Sequence, residues 1–292
     1  MTGRLFREAL AKEKPLQIIG TINAYTAIMA KEVGFQALYL SGAGVANASY
    51  GLPDLGMTTL DNVLMDASRI TDAVDLPILV DIDTGWGNSL MIRRTIRSME
   101  KAKVSAVHIE DQPFEKRCGH RQNKAVISTS HMIDRLKAAL DARQDPSFVI
   151  MARTDAYDCE GLDKTIARCR AYEEAGADMH FIEALSSLEE YRAFASSLAR
   201  PILANMTEYG RTPLFTREEL NAVGVSLILY PLSAFRSMNL AALKTMQEIR
   251  RKGTQKYMVE QMQTREELYG FLDYEKYEDF ADEILEQKKK NS

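Results

Sequence analysis

One cysteine of this chain stands among basic side chains that could change its chemistry. Cys118 lies in the segment EKRCGHR, where its basic neighbours are Lys116, Arg117, His120 and Arg121. Positive charge beside a thiol favours the thiolate, so Cys118 could exchange a proton near neutral pH. Gly119, directly after it, lets the backbone turn tightly. The alternative interpretation is a basic surface loop in which the cysteine has no role.

Two pairs of carboxylates could also carry chemistry. Glu110 and Asp111 stand a few residues before the cysteine, and Asp81 and Asp83 lie two apart in VDIDTGWG. In a strand the side chains of Asp81 and Asp83 would point to the same face. Two carboxylates on one face need a cation, and hard oxygen ligands select Mg²⁺ or Mn²⁺ over zinc. Since Mg²⁺ retains several waters, Asp83 could bind it directly and Asp81 through water. The alternative is an aspartate that only caps a turn.

These residues need a scaffold, and eight short apolar runs predict one. The runs lack polar alternation, which is typical of strands buried on both faces of a parallel sheet. The predicted strands are 16–21, 36–40, 77–82, 106–109, 148–152, 179–182, 201–204 and 225–229. Amphipathic stretches between them predict helices, among them 89–103, 130–143, 162–175 and 187–198, with Gly176 and Gly224 near helix ends.

Eight strand–helix alternations within one domain length predict an α/β fold of the (β/α)8, or TIM-barrel, class. A doubly wound open sheet is the alternative. Beyond residue 236 the chain becomes wholly helical, with helices expected over 239–250 and 266–287. We therefore expect one barrel domain over residues 1–292, of which about 239–292 forms a C-terminal helical arm.

Polar side chains stand at the C-terminal ends of the predicted strands, where a barrel places its catalytic groups. In strand order they are Ser41, Asp81 and Asp83, Glu110 and Asp111, Arg153 and Asp155, Glu183, then Asn205, Thr207 and Glu208, and finally Tyr230 and Arg236. Any one of them could be ordinary solvation of a strand end. Together they indicate a site built from carboxylates, an amide and arginines.

The composition excludes several classes of protein. The 292 residues are 46% hydrophobic and 27% charged, and the net charge of −4 argues against nucleic-acid or anionic-membrane partners. No apolar stretch approaches the roughly 20 residues of a membrane span, and the N-terminus is too charged for a signal peptide. Three widely spaced cysteines do not predict a disulfide framework, so we expect a cytoplasmic protein.

Three other patterns are interpreted as structural. The glycines of Gly42-Ala43-Gly44 do not have dinucleotide-loop spacing, so their backbone N–H groups are expected to hold a carboxylate instead. The four histidines lack the paired spacing of a zinc site. Cys159 and Cys169 are expected to be packing residues.

The chain resembles the 2-methylisocitrate lyases of the isocitrate lyase/phosphoenolpyruvate mutase superfamily. The motifs that carry the resemblance are LYLSGAG, GLPDLG, VDIDTGWG, HIEDQ, KRCGHR, IMARTDA, ILANMTEYG, PLF and LYPLSAFR, in order over about 6–277. In this superfamily KRCGH is typical of the lyases, whereas the mutases, hydrolases and decarboxylases lack the cysteine. The residues RQNK at 121–124 resemble the methylisocitrate branch.

The resemblance implies a barrel whose last helix is exchanged between subunits, in a homotetramer built as a dimer of dimers. It implies a Mg²⁺-dependent retro-aldol cleavage of 2-methylisocitrate to pyruvate and succinate, in propionate catabolism through the methylcitrate cycle, with Mn²⁺ as a possible substitute. Asp81 and Asp83 would serve the metal, with Asp54 and Glu110 nearby. The implied substrate contacts are Ser41, Gly42, Ala43, Cys118, Gly119, Arg153, Glu183, Asn205, Thr207, Arg236 and Arg265, with Phe181 and Leu229 at the substrate's methyl group.

Two residues depart from the family pattern. Ala43 stands where glycine is usual, and Ile182 where proline is frequent before the strand-end glutamate. Both changes are small and apolar, so neither removes a catalytic group.

The implied reaction agrees with the residues. A tricarboxylate substrate needs local positive charge in a chain of net charge −4, which Arg153, Arg236 and Arg265 would supply. Cleavage leaves succinate as an aci-carboxylate that must be protonated on carbon. Cys118 is the expected acid, and His120 and Arg117 would adjust its ionisation.

The general base stays open from sequence. Tyr39 is one candidate, and a water on the metal relayed by Asp54 or Glu110 is another. Three alternative functions also stay open: an isocitrate lyase that forms glyoxylate, an oxaloacetate decarboxylase or related enzyme on the same scaffold, and a non-enzymatic structural protein.

Overall fold

The computed structural model describes residues 2–116, 119 and 124–290, with the backbone alone for 288–290. Arg117, Cys118 and His120, which were expected to act together, lie outside the described residues. The chain divides into two compact units, Met1–Phe235 and Arg236–Ser292.

The first unit contains a closed barrel of eight parallel strands, as the apolar runs predicted. The strands are β1 Leu16–Gly20, β2 Ala37–Leu40, β3 Ile78–Asp81, β4 Ala106–Glu110, β5 Val149–Thr154, β6 Met179–Ile182, β7 Ile202–Asn205 and β8 Leu227–Tyr230. Each strand pairs with its neighbours in chain order, and β1 pairs with β8 from Leu16 opposite Leu227. That last pairing closes the sheet and excludes the doubly wound alternative.

Helices alternate with these strands. They are α1 Thr2–Lys12, α2 Ala24–Val33, α3 Gly42–Gly44, α4 Leu60–Ala73, α5 Ser89–Lys101, α6 Thr129–Ala142, α7 Tyr157–Glu160, α8 Leu162–Ala175, α9 Leu188–Ser197 and α10 Arg217–Ala222, with a π-helical turn over Val45–Ser49 after α3. Local signals set several boundaries. Thr59 and Asn62 form a capping box at the start of α4, and α8 ends at Gly176, whose φ of 108° is left-handed.

The barrel interior is a packed apolar core that α1 closes at the N-terminal end of the strands. Its buried side chains are Phe6, Ala9, Leu16, Ile18, Ala37, Tyr39, Leu79, Ala106, Val149, Met151, Met179, Phe181, Leu203, Leu227 and Leu229. Alternate residues of each strand supply this set, because successive side chains point to opposite faces. Phe6 projects into it from α1 and is fully buried.

The second unit is helical. It comprises most of α11 Ser233–Lys252, a 3₁₀ turn over Val259–Gln261, α12 Arg265–Phe271 and α13 Tyr274–Lys290. The helix expected over 266–287 is thus two helices, because Asp273 adopts a left-handed φ of 52° between them. No residue of α11 is buried, and large apolar side chains including Leu243, Met246 and Phe280 are exposed. None of the described helices is both long and apolar enough to cross a membrane.

The position of Phe6 predicts that α1 matters for the stability of the barrel. Phe6→Ala should lower the free energy of unfolding by about 3–5 kcal/mol, because it leaves a cavity at the closed end of the core. Leu5→Ala is the matched control on the same helix, since Leu5 is 38% exposed. Urea denaturation of both variants checks this, and equal losses would show that α1 does not close the core.

Candidate active site

The inward-facing series of five strands ends in polar side chains at the C-terminal mouth of the barrel. These side chains lie two or four residues beyond an apolar residue of the interior core: Asp81 after Leu79, Glu110 after Ala106, Arg153 after Met151, Glu183 after Phe181 and Asn205 after Leu203. The same pleat that packs the core therefore directs these groups into the mouth. All five are buried, as a shielded reaction site requires.

The two expected metal ligands converge, although only one of them lies in a strand. β3 ends at Asp81, and Asp83 follows in a left-handed conformation with φ 49°. The backbone N–H of Asp83 donates to Asp81 Oδ1 at 3.0 Å. Both carboxylates face Gly42, where an added Cβ would lie 3.1 Å from Asp81 Oδ2 and 3.2 Å from Asp83 Oδ1. A tight turn, not the strand pleat, brings the two together.

Four acidic side chains surround one buried lysine. We call Asp54, Asp81, Asp83 and Glu110 the carboxylate cluster. Lys116 Nζ lies 2.8 Å from Asp54 Oδ1 and in close contact with Asp83 Oδ1. Burial alone would lower the pKa of Lys116, but the carboxylate cluster outweighs it and raises that pKa. Lys116 therefore stays charged, and its ammonium is a cation of the chain itself that pairs with the carboxylate cluster.

The two neighbouring aspartates differ in acidity. Burial would raise the pKa of Asp81, but His108, Lys116 and Arg153 outweigh it and hold that pKa at about 2. Burial and then the charge of Asp81 raise the pKa of Asp83 to about 7, despite Lys116. Like charges this close favour ionisation of one before the other. Lys116 therefore does not fully neutralise the charge of Asp81 and Asp83.

Arg153 connects three further carboxylates at the mouth. Its guanidinium lies 3.0 Å from Asp155 Oδ2, 3.1 Å from Glu183 Oε2 and 3.3 Å from Glu110 Oε2. It also lies over the Phe181 ring, 5.0 Å from the centroid, which is cation–π distance. Burial opposes the charge of Arg153, but the carboxylates raise its pKa, so it remains a fixed cation.

The described part of the cysteine segment lies against this arginine. A Cβ added at Gly119 would lie 2.5 Å from Glu183 Cγ and 2.6 Å from an Arg153 nitrogen, so only glycine fits there. Lys124 Nζ donates to the Gly119 carbonyl at 2.5 Å and to Asp155 Oδ1 at 3.0 Å. The structure thus places Gly119 at the site as expected, while its neighbour Cys118 lies outside the described residues.

Tyr39, a candidate base, is buried beside His108. Its hydroxyl lies 2.9 Å from His108 Nε2. Burial and then the charge of Asp81 raise the pKa of Tyr39 well above its usual value, while burial lowers the pKa of His108 to about 4. A neutral imidazole can accept the Tyr39 proton in a hydrogen bond, and the phenolate is disfavoured. Tyr39 is therefore a poor proton acceptor in this arrangement.

The small-residue loop after β2 holds a carboxylate, as expected, but that carboxylate belongs to the chain. The backbone N–H of Gly42 donates to Asp81 Oδ2 at 3.1 Å. Ser41 is buried beside it, and Ala43 is half-buried. Across the mouth, Asn205 Nδ2 donates to Glu183 Oε1 at 3.3 Å, and Thr207 is buried two residues further on.

The two residues expected at the substrate's methyl group lie in the barrel interior. Phe181 and Leu229 are buried in the apolar core, directly below the polar mouth. The expected substrate arginines Arg236 and Arg265 belong to the second unit, where both are exposed. Of the two cysteines expected to pack, Cys169 is fully buried, but Cys159 is exposed because α7 lies on the surface.

Sequence reasoning missed the support given by Lys116, Lys124 and Asp111. Asp111 is fully buried and accepts hydrogen bonds from Thr154 Oγ1, the Asp155 backbone N–H and the Tyr172 hydroxyl. It thereby fixes the end of β5, from which Arg153 projects. The position of Asp111 directly after Glu110, at the end of β4, was the only signal in the sequence. Because successive side chains point to opposite faces, Asp111 points to the outer face of the barrel and not into the mouth.

The chain is similar to known proteins over nearly its whole length. The phosphoenolpyruvate phosphomutase family model matches residues 6–250. The 2-methylisocitrate lyase of Shewanella oneidensis is 60% identical over 287 residues, covering 98% of both chains. The crystal structure of 2,3-dimethylmalate lyase, of the same superfamily, superposes with a TM-score of 0.89 at 32% identity, covering 97% of this chain and 95% of that one.

A phosphonopyruvate hydrolase structure with oxalate and Mg²⁺ bound superposes with a TM-score of 0.86 at 26% identity, covering 98% of this chain and 99% of that one. The family model spans most of this chain, and the lyase relative matches it nearly end to end. The chain therefore belongs to the phosphoenolpyruvate phosphomutase family, within the isocitrate lyase/phosphoenolpyruvate mutase superfamily.

Proposed function

We propose that this protein is a carbon–carbon lyase that cleaves 2-methylisocitrate to pyruvate and succinate. The observation that carries the proposal is the 60% identity, over 98% of both chains, with a 2-methylisocitrate lyase. The buried mouth of charged groups on a closed barrel is compatible with that chemistry. The cysteine segment KRCGH, which favours the lyases within the superfamily, is complete in the sequence.

The residues at the mouth fit a hard divalent cation, Mg²⁺ or alternatively Mn²⁺. Asp81 and Asp83 would hold it, since both are buried and converge where Gly42 leaves space. Neither oxygen of Glu110 accepts a hydrogen bond from the described residues, and Oε2 is ion-paired with Arg153 at 3.3 Å, so Oε1 is the oxygen that could serve as a ligand. Among the described residues no group of three acidic, histidine or cysteine side chains is arranged to hold a metal ion, so water and substrate oxygens would have to supply the other ligands.

When bound, a divalent cation would stabilise the negative charge that develops on the substrate oxygens during cleavage. Arg153 would bind a substrate carboxylate at the mouth, beside the Phe181 ring. Cys118 would protonate the departing succinate on carbon. For the general base we favour a water relayed by Asp54 or Glu110 over Tyr39, because burial raises the pKa of the Tyr39 hydroxyl. Arg236 and Arg265 are proposed to complete the binding of the tricarboxylate.

The proposal includes a homotetramer built as a dimer of dimers, with the helix after β8 exchanged between subunits. The exposed apolar residues of α11, among them Leu240, Leu243 and Met246, support this, because such a face is stabilised when another chain covers it. We also expect the protein to act in the cytoplasm, without nucleic-acid or membrane partners.

The products test the function directly. With 2-methylisocitrate and Mg²⁺ the protein should form pyruvate and succinate, and excess EDTA should abolish turnover because the carboxylate cluster would lose its divalent ion. Liquid chromatography with mass spectrometry identifies the keto acid. Glyoxylate from isocitrate as the preferred reaction would instead assign an isocitrate lyase, and full turnover in EDTA would contradict the metal site.

The proposed contact of Leu229 with the substrate's methyl group predicts a preference for 2-methylisocitrate over isocitrate. An apolar pocket favours a methyl group over hydrogen by about 1–3 kcal/mol, so kcat/KM should be roughly 10–200-fold higher for 2-methylisocitrate than for isocitrate. Leu229→Phe should fill the methyl site and narrow this preference, mainly by slowing the larger substrate. Leu227→Phe is the control, because Leu227 faces the same interior one layer deeper. An equal effect of Leu229→Phe on both substrates would make Leu229 an ordinary core residue.

The position of Gly42 predicts that a side chain added there would weaken metal binding and leave the protein folded. In Gly42→Ala the methyl would press on Asp81 and Asp83, so the Kd for Mg²⁺ should rise roughly tenfold or more. Gly44→Ala is the control on the same helix, since its methyl would meet the flexible end of Leu232 at 3.2 Å. Isothermal titration calorimetry measures both, with thermal denaturation as the test of folding. Unchanged Mg²⁺ affinity in Gly42→Ala would place the ion elsewhere.

A further inference from the structure

One buried lysine at the mouth pairs with carboxylates other than the proposed metal ligands. The Lys124 side chain is 1% exposed, and its ammonium lies 3.0 Å from Asp155 Oδ1 and 3.4 Å from Asp158 Oδ2. It also donates to the Gly119 carbonyl at 2.5 Å. These three oxygens equal the N–H donors of an ammonium in number. Burial opposes the charge of Lys124, but Asp155 and the other carboxylates raise its pKa, so it remains charged.

The segment that carries Lys124 is fixed by its own contacts. The carbonyl of Lys124 accepts a hydrogen bond from the Cys159 thiol at 3.3 Å. Three residues later, the Ile127 N–H donates to the carbonyl of Asp111 at 2.8 Å, directly after β4. The Lys124 side chain therefore reaches Gly119 from a backbone that is itself held in place, as an anchor requires.

Gly119 packs closely on the side chains of the mouth. A Cβ added at this residue would lie 2.5 Å from Glu183 Cγ and 2.6 Å from an Arg153 nitrogen, so the backbone itself contacts both groups. The hydrogen bond from Lys124 holds the carbonyl of the same residue. Loss of that bond would let Gly119 shift relative to Arg153, which in the proposed function binds a substrate carboxylate.

Asp155 divides its carboxylate between two cations. Its Oδ1 accepts from Lys124 Nζ and its Oδ2 from Arg153 Nε, both at 3.0 Å. Asp111 Oδ1 accepts the backbone N–H of Asp155 at 2.9 Å, so the residue itself is fixed. Without Lys124 the whole charge of Asp155 would act on Arg153, and a substrate carboxylate would face a stronger competitor for the guanidinium.

We propose that Lys124 is a positioning residue of this site. Its ammonium holds Gly119 against Arg153 and engages one oxygen of Asp155, so that Arg153 can bind a substrate carboxylate. In this role Lys124 does not touch substrate but acts through Gly119 and Asp155. The consequence for catalysis rests on the lyase function proposed above, whereas the hold on Gly119 does not. A lysine that only balanced the charge of Asp155 would matter for folding and not for turnover.

Steady-state kinetics test the positioning role. Lys124→Met keeps a long side chain but removes its charge and its donors. With 2-methylisocitrate its kcat should fall roughly tenfold to a hundredfold, because a displacement of about 1 Å within a site can cost that much. KM should rise several-fold, because the charge of Asp155 then acts on Arg153 alone.

Arg143→Met is the matched control for the loss of a partly buried charge. Arg143 Nη1 pairs with Asp178 Oδ2 at 2.8 Å and donates to the Phe148 carbonyl at 2.9 Å. These contacts lie just before β5, at the opposite end of the strand that leads to Asp155. Arg143→Met should lower the melting temperature and leave kcat and KM unchanged. Equal kinetic losses in both variants would mean that Lys124 acts only through stability.

Amide hydrogen exchange tests the hold on Gly119 without turnover. Peptides that contain Gly119, followed by mass spectrometry, should exchange several-fold faster in Lys124→Met than in the unaltered protein, and at an unchanged rate in Arg143→Met. If Lys124→Met does not fold, Lys124→Arg takes its place, since it keeps the charge. Its larger guanidinium would displace the Gly119 carbonyl, so exchange should again be faster and kcat lower.

The outcomes separate this inference from the proposed function. If the peptides with Gly119 exchange equally in the Lys124 variant and the unaltered protein, or if the variant keeps kcat and KM, the positioning role is wrong and the lyase function is unaffected. If exchange becomes faster but the unaltered protein does not cleave 2-methylisocitrate, the lyase function fails while the hold of Lys124 on Gly119 remains.

Discussion

The mouth of the barrel depends on one electrostatic constraint, which is the burial of several carboxylates within contact of one another. Such a group is stable only where cations are buried with it, because water no longer screens the repulsion. The chain meets this constraint with two nearly separate arrangements. Lys116 serves Asp54 and Asp83, while Arg153 and Lys124 serve Asp155 and its neighbours. Glu110 lies between the two, 3.3 Å from Arg153 and within the field of Lys116.

The closed barrel supplies the rigidity that this arrangement requires. The charged side chains at the strand ends, Asp81, Glu110, Arg153 and Glu183, continue series of inward-facing residues whose apolar members are packed in the core. Asp111 adds a second fixation from outside, since its hydrogen bonds to Thr154 and Asp155 hold the end of β5. A charged group on a flexible loop could relax away from its like-charged neighbours. A charged group at the end of a paired strand cannot move away in this manner, so the repulsion between the carboxylates remains and favours the binding of a further cation.

The fold could be predicted from sequence because its signal is local and repeated. Eight apolar runs marked the strands to within about two residues, since strands buried on both faces are predominantly apolar. The strand-end rule then located Asp81, Glu110, Arg153 and Glu183 at one mouth. The strand-end rule could not predict which charged side chains would pair with one another. Lys116 follows β4 by six residues, and no periodicity relates a loop lysine to Asp54 or Asp83. The turn at Asp83 was only the alternative interpretation, because left-handed backbone in a non-glycine residue leaves little pattern in sequence.

The balance of charge also constrains how a tricarboxylate could bind. At the described mouth six carboxylates, Asp54, Asp81, Asp83, Glu110, Asp155 and Glu183, face three cations, Lys116, Lys124 and Arg153. Burial raises the pKa of Glu110 well above its usual value and that of Asp83 to about 7, so the excess of negative charge is smaller than the count of groups. Arg153 is already paired with three carboxylates, so a substrate with three carboxylates is expected to need positive charge beyond that of Arg153. In the proposed function this charge would come from the basic segment around Cys118, and from Arg236 and Arg265. Substrate affinity should accordingly depend on these residues more than on Arg153, which three carboxylates already neutralise.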